Sequence, residues 1–226
     1  MYQKYLKRTF DIIGSTILLV VTLPVTGLIV LIYIFFDRKG PIIFTQARTA
    51  KGGGDFMMYK FRTMAPTNNV LDTTKDNEIT KLGALLRRLS LDEIPQLFNV
   101  IKSDMSFIGP RPWIPEYYQL MTKRQRRRVS VRPGITGLAQ ASGRNSLTIL
   151  DKLSYDIKYV DSITVLMDTK VVLMTMRTFL KRSSAELHKL GIHDELDILK
   201  IQRLDTVAVL IDDPFSNDQR KQSAEA

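Results

Sequence analysis

The chain has no cysteine and only two histidines. Without thiols there is no disulfide, no thiolate metal site and no cysteine nucleophile, a composition that suits a reducing compartment. His188 and His193 both fall in the C-terminal tail with no third imidazole nearby, which argues against zinc. Internal repeats and low-complexity tracts are missing as well. So is a second long apolar run: residues 12–36 form one uncharged stretch, and the rest of the chain has ordinary polarity.

At 44% hydrophobic and 25% charged residues, the 226-residue chain has the make-up of a folded protein with room for one sizeable core. Positive charge is in excess. A net charge of +10 requires an anionic partner, whether nucleic acid, a membrane surface or a phosphorylated substrate. No recognised nucleic-acid-reading module accompanies the charge, so nucleic acid is the least favoured.

Residues 12–36 read IIGSTILLVVTLPVTGLIVLIYIFF. As a helix they would extend ~37 Å, against a hydrocarbon core of about 30 Å. The run is too long for a cleavable signal, and FFDRKG closes it in place of a small-residue cleavage site. Lys4, Lys7 and Arg8 precede it; Arg38, Lys39, Arg48 and Lys51 come after it. Positive charge on both flanks favours both ends on the cytoplasmic side. Pro24, near the middle, removes one backbone donor and predicts a bend. Together these predict a re-entrant helix–break–helix that enters and leaves on one face, with Thr22 and Thr26 satisfying freed backbone groups. A straight crossing with a tolerated proline is the alternative.

The remainder is expected to be a small α+β domain, mostly helical, on the cytoplasmic face, with interfacial amphipathic helices. Residues 42–45 and 56–61 read as strands of a hairpin around the turn Gly52-Gly53-Gly54, and residues 67–78 as a loop. Helical spacing is seen over residues 79–89, 91–101 and 116–129, and over 147–182 as one or two helices. The tail from residue 188 has weak helical signal to 204, an apolar run at 207–211 and a polar end expected to be disordered. The domain reading is therefore 1–39, 40–187 and 188–226.

Candidate chemistry centres on Asp92-Glu93 in Ser90-Leu91-Asp92-Glu93-Ile94-Pro95. One reading is a capping box, with Ser90 as N-cap and Glu93 at the third helical position. The other is an acidic dyad serving as nucleophile, magnesium ligand or both. Phosphoryl transfer needs cations to neutralise its charge, and Arg48, Lys60, Arg62, Arg87, Arg88, Arg111, Arg132 and Arg144 supply them. Magnesium often takes only one or two carboxylates plus substrate phosphates. The basic run at residues 123–128, KRQRRR, reads as a surface for anionic lipid headgroups. Trp113, Tyr117 and Tyr118 suit either the membrane interface or the core.

Several blocks together resemble the bacterial sugar transferase family, the monotopic polyprenyl-phosphate phosphoglycosyl transferases. They are KRTFD at 7–11, GPIIFTQAR at 40–48, KFRTM at 60–64, LSLDEIPQLFNV at 89–100, DMSFIGPRP at 104–112, RPGITGLAQ at 132–140 and SGRN at 142–145, with residues 156–159 and Asp168. The resemblance covers about residues 4–180. It implies transfer of a phosphosugar from a UDP-sugar to polyprenyl phosphate with release of UMP, initiating glycan assembly at the bacterial inner membrane. Asp92 is then the nucleophile of a covalent intermediate, with Glu93 and Mg2+ assisting. Lys60, Arg62, Arg87, Arg111, Arg132 and Arg144 are implied phosphate or nucleotide contacts. Lys7, Arg8, Pro24 and Asp168 are implied supports of the membrane helix, Lys7 and Asp168 as a pair. Anionic lipids are a further expected partner, and a homodimer is left open. Ala50, Ser103 and Leu23 depart from the family's usual glycine, glycine and serine. A non-catalytic, membrane-anchored scaffold for assembly enzymes is the rival reading.

Overall fold

The computed structural model describes residues 2–38, 40–65, 79–143, 146–180 and 192–211. Helix α1 (Lys7–Phe36) leads into a hairpin of β1 (Ile43–Thr49) and β2 (Asp55–Phe61). Helices α2 (Lys81–Leu89) and α3 (Gln96–Ile101) come next, then a short strand β3 (Ser106–Ile108) and helix α4 (Pro115–Leu120). The chain continues through β4 (Gly134–Thr136), α5 (Leu138–Ser142), α6 (Ile149–Asp161), α7 (Val165–Leu180) and α8 (Ile192–Ile211). The architecture is mostly helical with little sheet, as expected. The expected loop at 67–78, Arg144 and the polar end of the tail lie outside the described residues.

The apolar stretch forms one helical element, and helical secondary structure runs through Pro24. Proline's fixed φ is itself helical, so the loss of one donor need not end the element. The Thr22 hydroxyl donates to the Leu18 and Leu19 carbonyls at 2.7 and 3.3 Å, two residues and one residue before the Val20 carbonyl whose partner the proline removes. The middle of α1 is largely exposed among the described residues. Ile17, Leu18, Val20, Val21, Leu23 and Leu28 are 43–66% exposed, which no aqueous helix of this composition sustains.

Both ends of α1, by contrast, are bonded to the globular part. At the first end Lys7 pairs with Asp168 at 2.6 Å, and the Asp168 carboxylate also accepts from the Tyr2 and Tyr159 hydroxyls. Arg8 donates to the Ile101 carbonyl and the Ser103 hydroxyl, and buried Asp11 accepts from the Ser106 hydroxyl and the Phe107 amide. At the other end Ile29 and Tyr33 pack with Phe61 and Leu86. The Tyr33 hydroxyl donates to the Arg62 carbonyl, and the Arg62 guanidinium holds the chain's exit from α1 through the Asp37 and Pro41 carbonyls and the Asp37 carboxylate.

The β1–β2 pairing runs from Ile43↔Phe61 to Thr49↔Asp55, so β1 continues four residues beyond the expected strand. Gly52 and Gly53 turn the hairpin at φ of 85° and 91°, a region that glycine enters without steric penalty. A second pairing was not anticipated: β3 and β4 are parallel, Ser106 opposite Gly134 and Ile108 opposite Thr136. The expected helix at 116–129 is divided. Beyond α4, Thr122 and Gln125 cap each other reciprocally (Thr122 amide to Gln125 Oε1, 2.8 Å; Gln125 amide to Thr122 Oγ1, 3.3 Å) and open a 3-10 segment, Gln125–Ser130. The 147–182 stretch resolves into two helices, α6 and α7.

Candidate active site around Asp92 and Glu93

The acidic pair sits where the chain changes direction. Helix α2 ends at Ser90, which adopts a left-handed conformation (φ 57°, ψ 22°) with its amide on the Leu86 and Arg87 carbonyls. Ser90 is therefore the residue that closes α2 rather than an N-cap opening the next helix, and its side chain caps nothing. The capping-box reading fails on that geometry. A single 3-10 turn, Leu91–Glu93, carries both carboxylates, and α3 starts only at Gln96 because Pro95 supplies no amide within a helix interior.

Two anchors fix this turn against the hairpin. Asn99, fully buried in α3, accepts from the Tyr59 amide at 3.0 Å and donates to the Met57 carbonyl at 2.8 Å, reading the free edge of β2 as another strand would. On the other side α2 presses on the segment after β2. A side chain at Gly83 would overlap the Thr63 carbonyl, so the helix comes this close only with glycine there. Thr63 in turn receives the Arg87 guanidinium at 2.9 Å.

Lys60, on β2, is thereby brought to the pair. Its ammonium lies 2.8 Å from Glu93 Oε1 and 3.7 Å from Asp92 Oδ2, and the Arg111 guanidinium lies 3.7 Å from the same Glu93 oxygen. The two carboxylates are pushed in opposite directions. Burial raises Asp92 above the ordinary aspartate range, the neighbouring Glu93 charge adds to the rise, and Lys60 and Arg87 offset part of it. Burial acts on Glu93 in the same sense, but attraction to Lys60 and Arg111 together with hydrogen bonds from Lys60 and Gln96 outweighs it, holding Glu93 below its usual range. Burial lowers Lys60 despite Glu93. Adjacent acids whose affinities for a proton diverge are a mark of divided roles.

The Arg111 loop is held from behind. Arg128, 2% exposed, binds the Asp156 carboxylate through Nε and Nη2 at 2.9 and 2.7 Å, donates to the Arg111 carbonyl at 2.6 Å and stacks over Trp113 at 4.1 Å. Arg48 lies beside the same loop, its guanidinium on Gln46 Oε1 at 2.5 Å and near the Pro112 carbonyl; burial, then the charge of Arg111, push it down to about 10.

Of the sequence-derived site residues, Asp92, Glu93, Lys60 and Arg111 are therefore brought together, with Arg87 beside them. Arg62 is engaged at the exit from α1, and Arg132 donates to the Ser103 carbonyl on the α1 side. Lys7 and Asp168 meet each other. The basic run is not one uniform lipid-facing surface: Arg128 is in the core, Arg127 pairs with Asp161, and Arg126 lies over the Tyr118 ring. Asn99, Arg128 and Asp156 were not singled out as supports. The signal for the Arg128–Asp156 pair would have been one cation of a basic run falling at a position its 3-10 turn buries.

Among the described residues no cluster of three acidic or histidine side chains forms a complete metal cage. The donor set still fits a hard divalent cation that keeps substrate phosphate and water as most of its ligands, since Glu93 and Asp92 supply the one or two carboxylates such a site needs.

An exposed apolar helix bonded at both ends to a small domain fits membrane association, and that domain carries buried Asp92 and half-buried Glu93 beside Lys60 and Arg111. The chain belongs to the bacterial sugar transferase family, whose pattern matches residues 2–182. It is 40% identical over 177 residues to an uncharacterised sugar transferase, EpsL, of Bacillus subtilis, covering 77% of this chain and 87% of that protein. It is 37% identical to a UDP-glucose:undecaprenyl-phosphate glucose-1-phosphate transferase of Klebsiella pneumoniae, over 79% of this chain and 41% of that protein. Against an undecaprenyl-phosphate galactose phosphotransferase of Salmonella typhimurium the identity is 33%, over 81% of this chain and 42% of that protein. The chain thus spans most of EpsL but less than half the length of the other two.

Proposed function

We propose that the chain transfers a sugar phosphate from a UDP-sugar to a polyprenyl phosphate, such as undecaprenyl phosphate, through a covalent intermediate on Asp92. An Asp92 oxygen attacks the β-phosphorus, the bond to the bridging oxygen breaks, and UMP leaves with that electron pair. A phosphate oxygen of the lipid then attacks the same phosphorus, the bond to Asp92 breaks, and the polyprenyl-diphosphate sugar departs. Splitting the transfer this way lets one carboxylate serve a water-borne donor and a lipid-borne acceptor in turn. The observation that carries the reading is buried Asp92 with half-buried Glu93 beside it, within reach of Lys60 and Arg111.

Glu93 keeps Lys60 and Arg111 in place for the donor diphosphate, and Arg87 adds positive charge on the Asp92 side. Magnesium, held by Glu93 with the donor's phosphates, would supply further neutralisation of the transferring group. In purified protein with magnesium and a panel of UDP-sugars, the expected nucleotide product is UMP. Release of UDP would replace this reading with ordinary glycosyl transfer.

The acid limb of the pH–rate profile should report ionisation of Asp92 and lie above the ordinary aspartate range. Glu93→Gln removes a charge that raises Asp92 and leaves Lys60 to pair with Asp92 alone. Both effects lower the Asp92 pKa, so the limb moves to lower pH; Lys60→Met moves it to higher pH. Opposite movement of either limb would reverse the assignment of roles.

α1 is proposed to enter and leave the bilayer on the cytoplasmic face. Its two ends bond to one small domain, while the middle is left exposed. Arg8 reaches Ile101, and Ile29 packs in the cluster that Leu91 and Ile94 cover. Straight, the helix would separate Arg8 and Ile29 by about 31 Å, whereas the stretch between residues 91 and 101 is roughly 15 Å. The outward apolar residues of α7, Leu166 (79% exposed), Leu173 and Met176, suit the lipid interface beside it. Because the chain lacks cysteine, single cysteines at Tyr2 and Lys51 are unique labels. Both are expected to react with an impermeant maleimide only from the cytoplasmic side; one reacting from outside means a full crossing.

A further inference from the structure

Helix α8 lies beyond residue 182, where the family match ends, yet it packs into the core behind α4. Leu199, 1% exposed, joins the core cluster of Trp113, Ile114 and Tyr117. Glu195 receives the Tyr117 hydroxyl at 2.7 Å and the Lys152 ammonium at 3.0 Å, so one carboxylate joins α4 to α6. Two further bonds run along the helix: Gln125 to Gln202 at 2.7 Å, and Arg203 to the Gln119 carbonyl at 2.6 Å. Burial and the Glu195 charge both raise the Tyr117 hydroxyl, which therefore stays a donor.

From Tyr117 the contacts continue without a gap to the site. Its ring lies 5.1 Å from Trp113, Trp113 lies under the Arg128 guanidinium, and Arg128 holds the Arg111 carbonyl. Arg111 faces Glu93. The Trp113 carbonyl also accepts from the Thr49 amide at 2.9 Å, so the loop is fixed to β1 on its far side. A loop that must present one guanidinium to a diphosphate gains from such bracing, because small displacements of positioning groups cost rate steeply.

We infer that α8 is a brace for the Arg111 loop and that Glu195 is a positioning residue, acting on the acidic pair through Tyr117, Trp113 and Arg128. Its kinetic test rests on the transferase reading; its structural test does not. Trp113 is the only tryptophan of the chain, so its fluorescence reports this loop alone.

In the full chain in detergent, Glu195→Ala should make Trp113 about twofold more accessible to acrylamide quenching, with Glu195→Gln recovering part of the protection. It should also lower kcat/KM by about tenfold in the wild-type background but by less than about twofold in an Arg111→Ala background, the non-additivity of groups acting in series. Should Glu195→Ala not fold, Tyr117→Phe removes only the hydroxyl and is expected to show the same quenching and the same coupling. Unchanged quenching, or an equal loss in both backgrounds, overturns the inference. If the wild-type chain releases no UMP, the transferase reading fails, and the quenching result alone decides the brace.

Discussion

Asp92→Asn is expected to abolish UMP release, a loss of about a thousandfold or more, while leaving the protein folded and at least as resistant to heat. The two halves have one cause. The Asp92 pKa is raised in the folded chain, chiefly by burial, so the ionised form is what the fold tolerates poorly. An acid with a raised folded-state pKa contributes its full share of stability only below its unfolded pKa. That share is lost as pH rises through the window up to the folded value. Asparagine holds the neutral state at every pH and so removes the penalty at neutrality. It also removes the carboxylate proposed to form the acyl-phosphate bond to the phosphosugar, and a nucleophile's deletion is among the largest single effects on rate. UMP release under donor excess, a melting curve, and mass spectrometry for a phosphosugar adduct check it together. Normal turnover in the variant ends the covalent proposal.

Asp156→Ala should have the largest effect on stability. Arg128 and Asp156 are each 2% exposed, and truncating one partner leaves the other charged and buried. Breaking such a pair costs about 3–5 kcal/mol, lowering the melting temperature on the order of 10 °C for a chain of this size. Activity should fall with it below the melting range, because Arg128 also holds the Arg111 carbonyl. Replacing both residues by well-packed apolar ones, Arg128→Met with Asp156→Leu, is expected to recover much of the stability but not the loop's position. Calorimetry and turnover of the two variants separate burial of charge from support of the site.

The apolar helix was plain in the sequence because twenty-five uncharged residues in a row need no partner to be recognised. The continuity of α1 through Pro24 was not, since a local rule about proline carries no information on what packs at the helix ends. Asp92 and Glu93 stood out by resemblance, while local spacing pointed to a capping box. That alternative could not be settled without the backbone, because serine accepts a left-handed conformation only at some cost and is read as an N-cap by default. The Lys60–Glu93 bond joins residues 33 apart, and Asn99 reaches β2 across 40, distances at which no periodicity operates. β3 and β4 are three residues each, hidden among prolines and glycines that signal turns. Ser103, which stands where the family usually has glycine, adopts a φ of 76°, so the glycine pattern did mark a backbone requirement.

The clamping of α1 at both ends has a consequence for lipid composition. A protein hung from a single spanning helix is levered up or down as bilayers thicken or thin. Under the re-entrant topology proposed above, the height of the acidic pair over the lipid phosphates would be set by bonds from Lys7 and Arg8 at one end and Tyr33 at the other, all to the domain that carries it. With that proposed arrangement the enzyme would ride on one leaflet, and the far leaflet would have no hold on its reach to the acceptor.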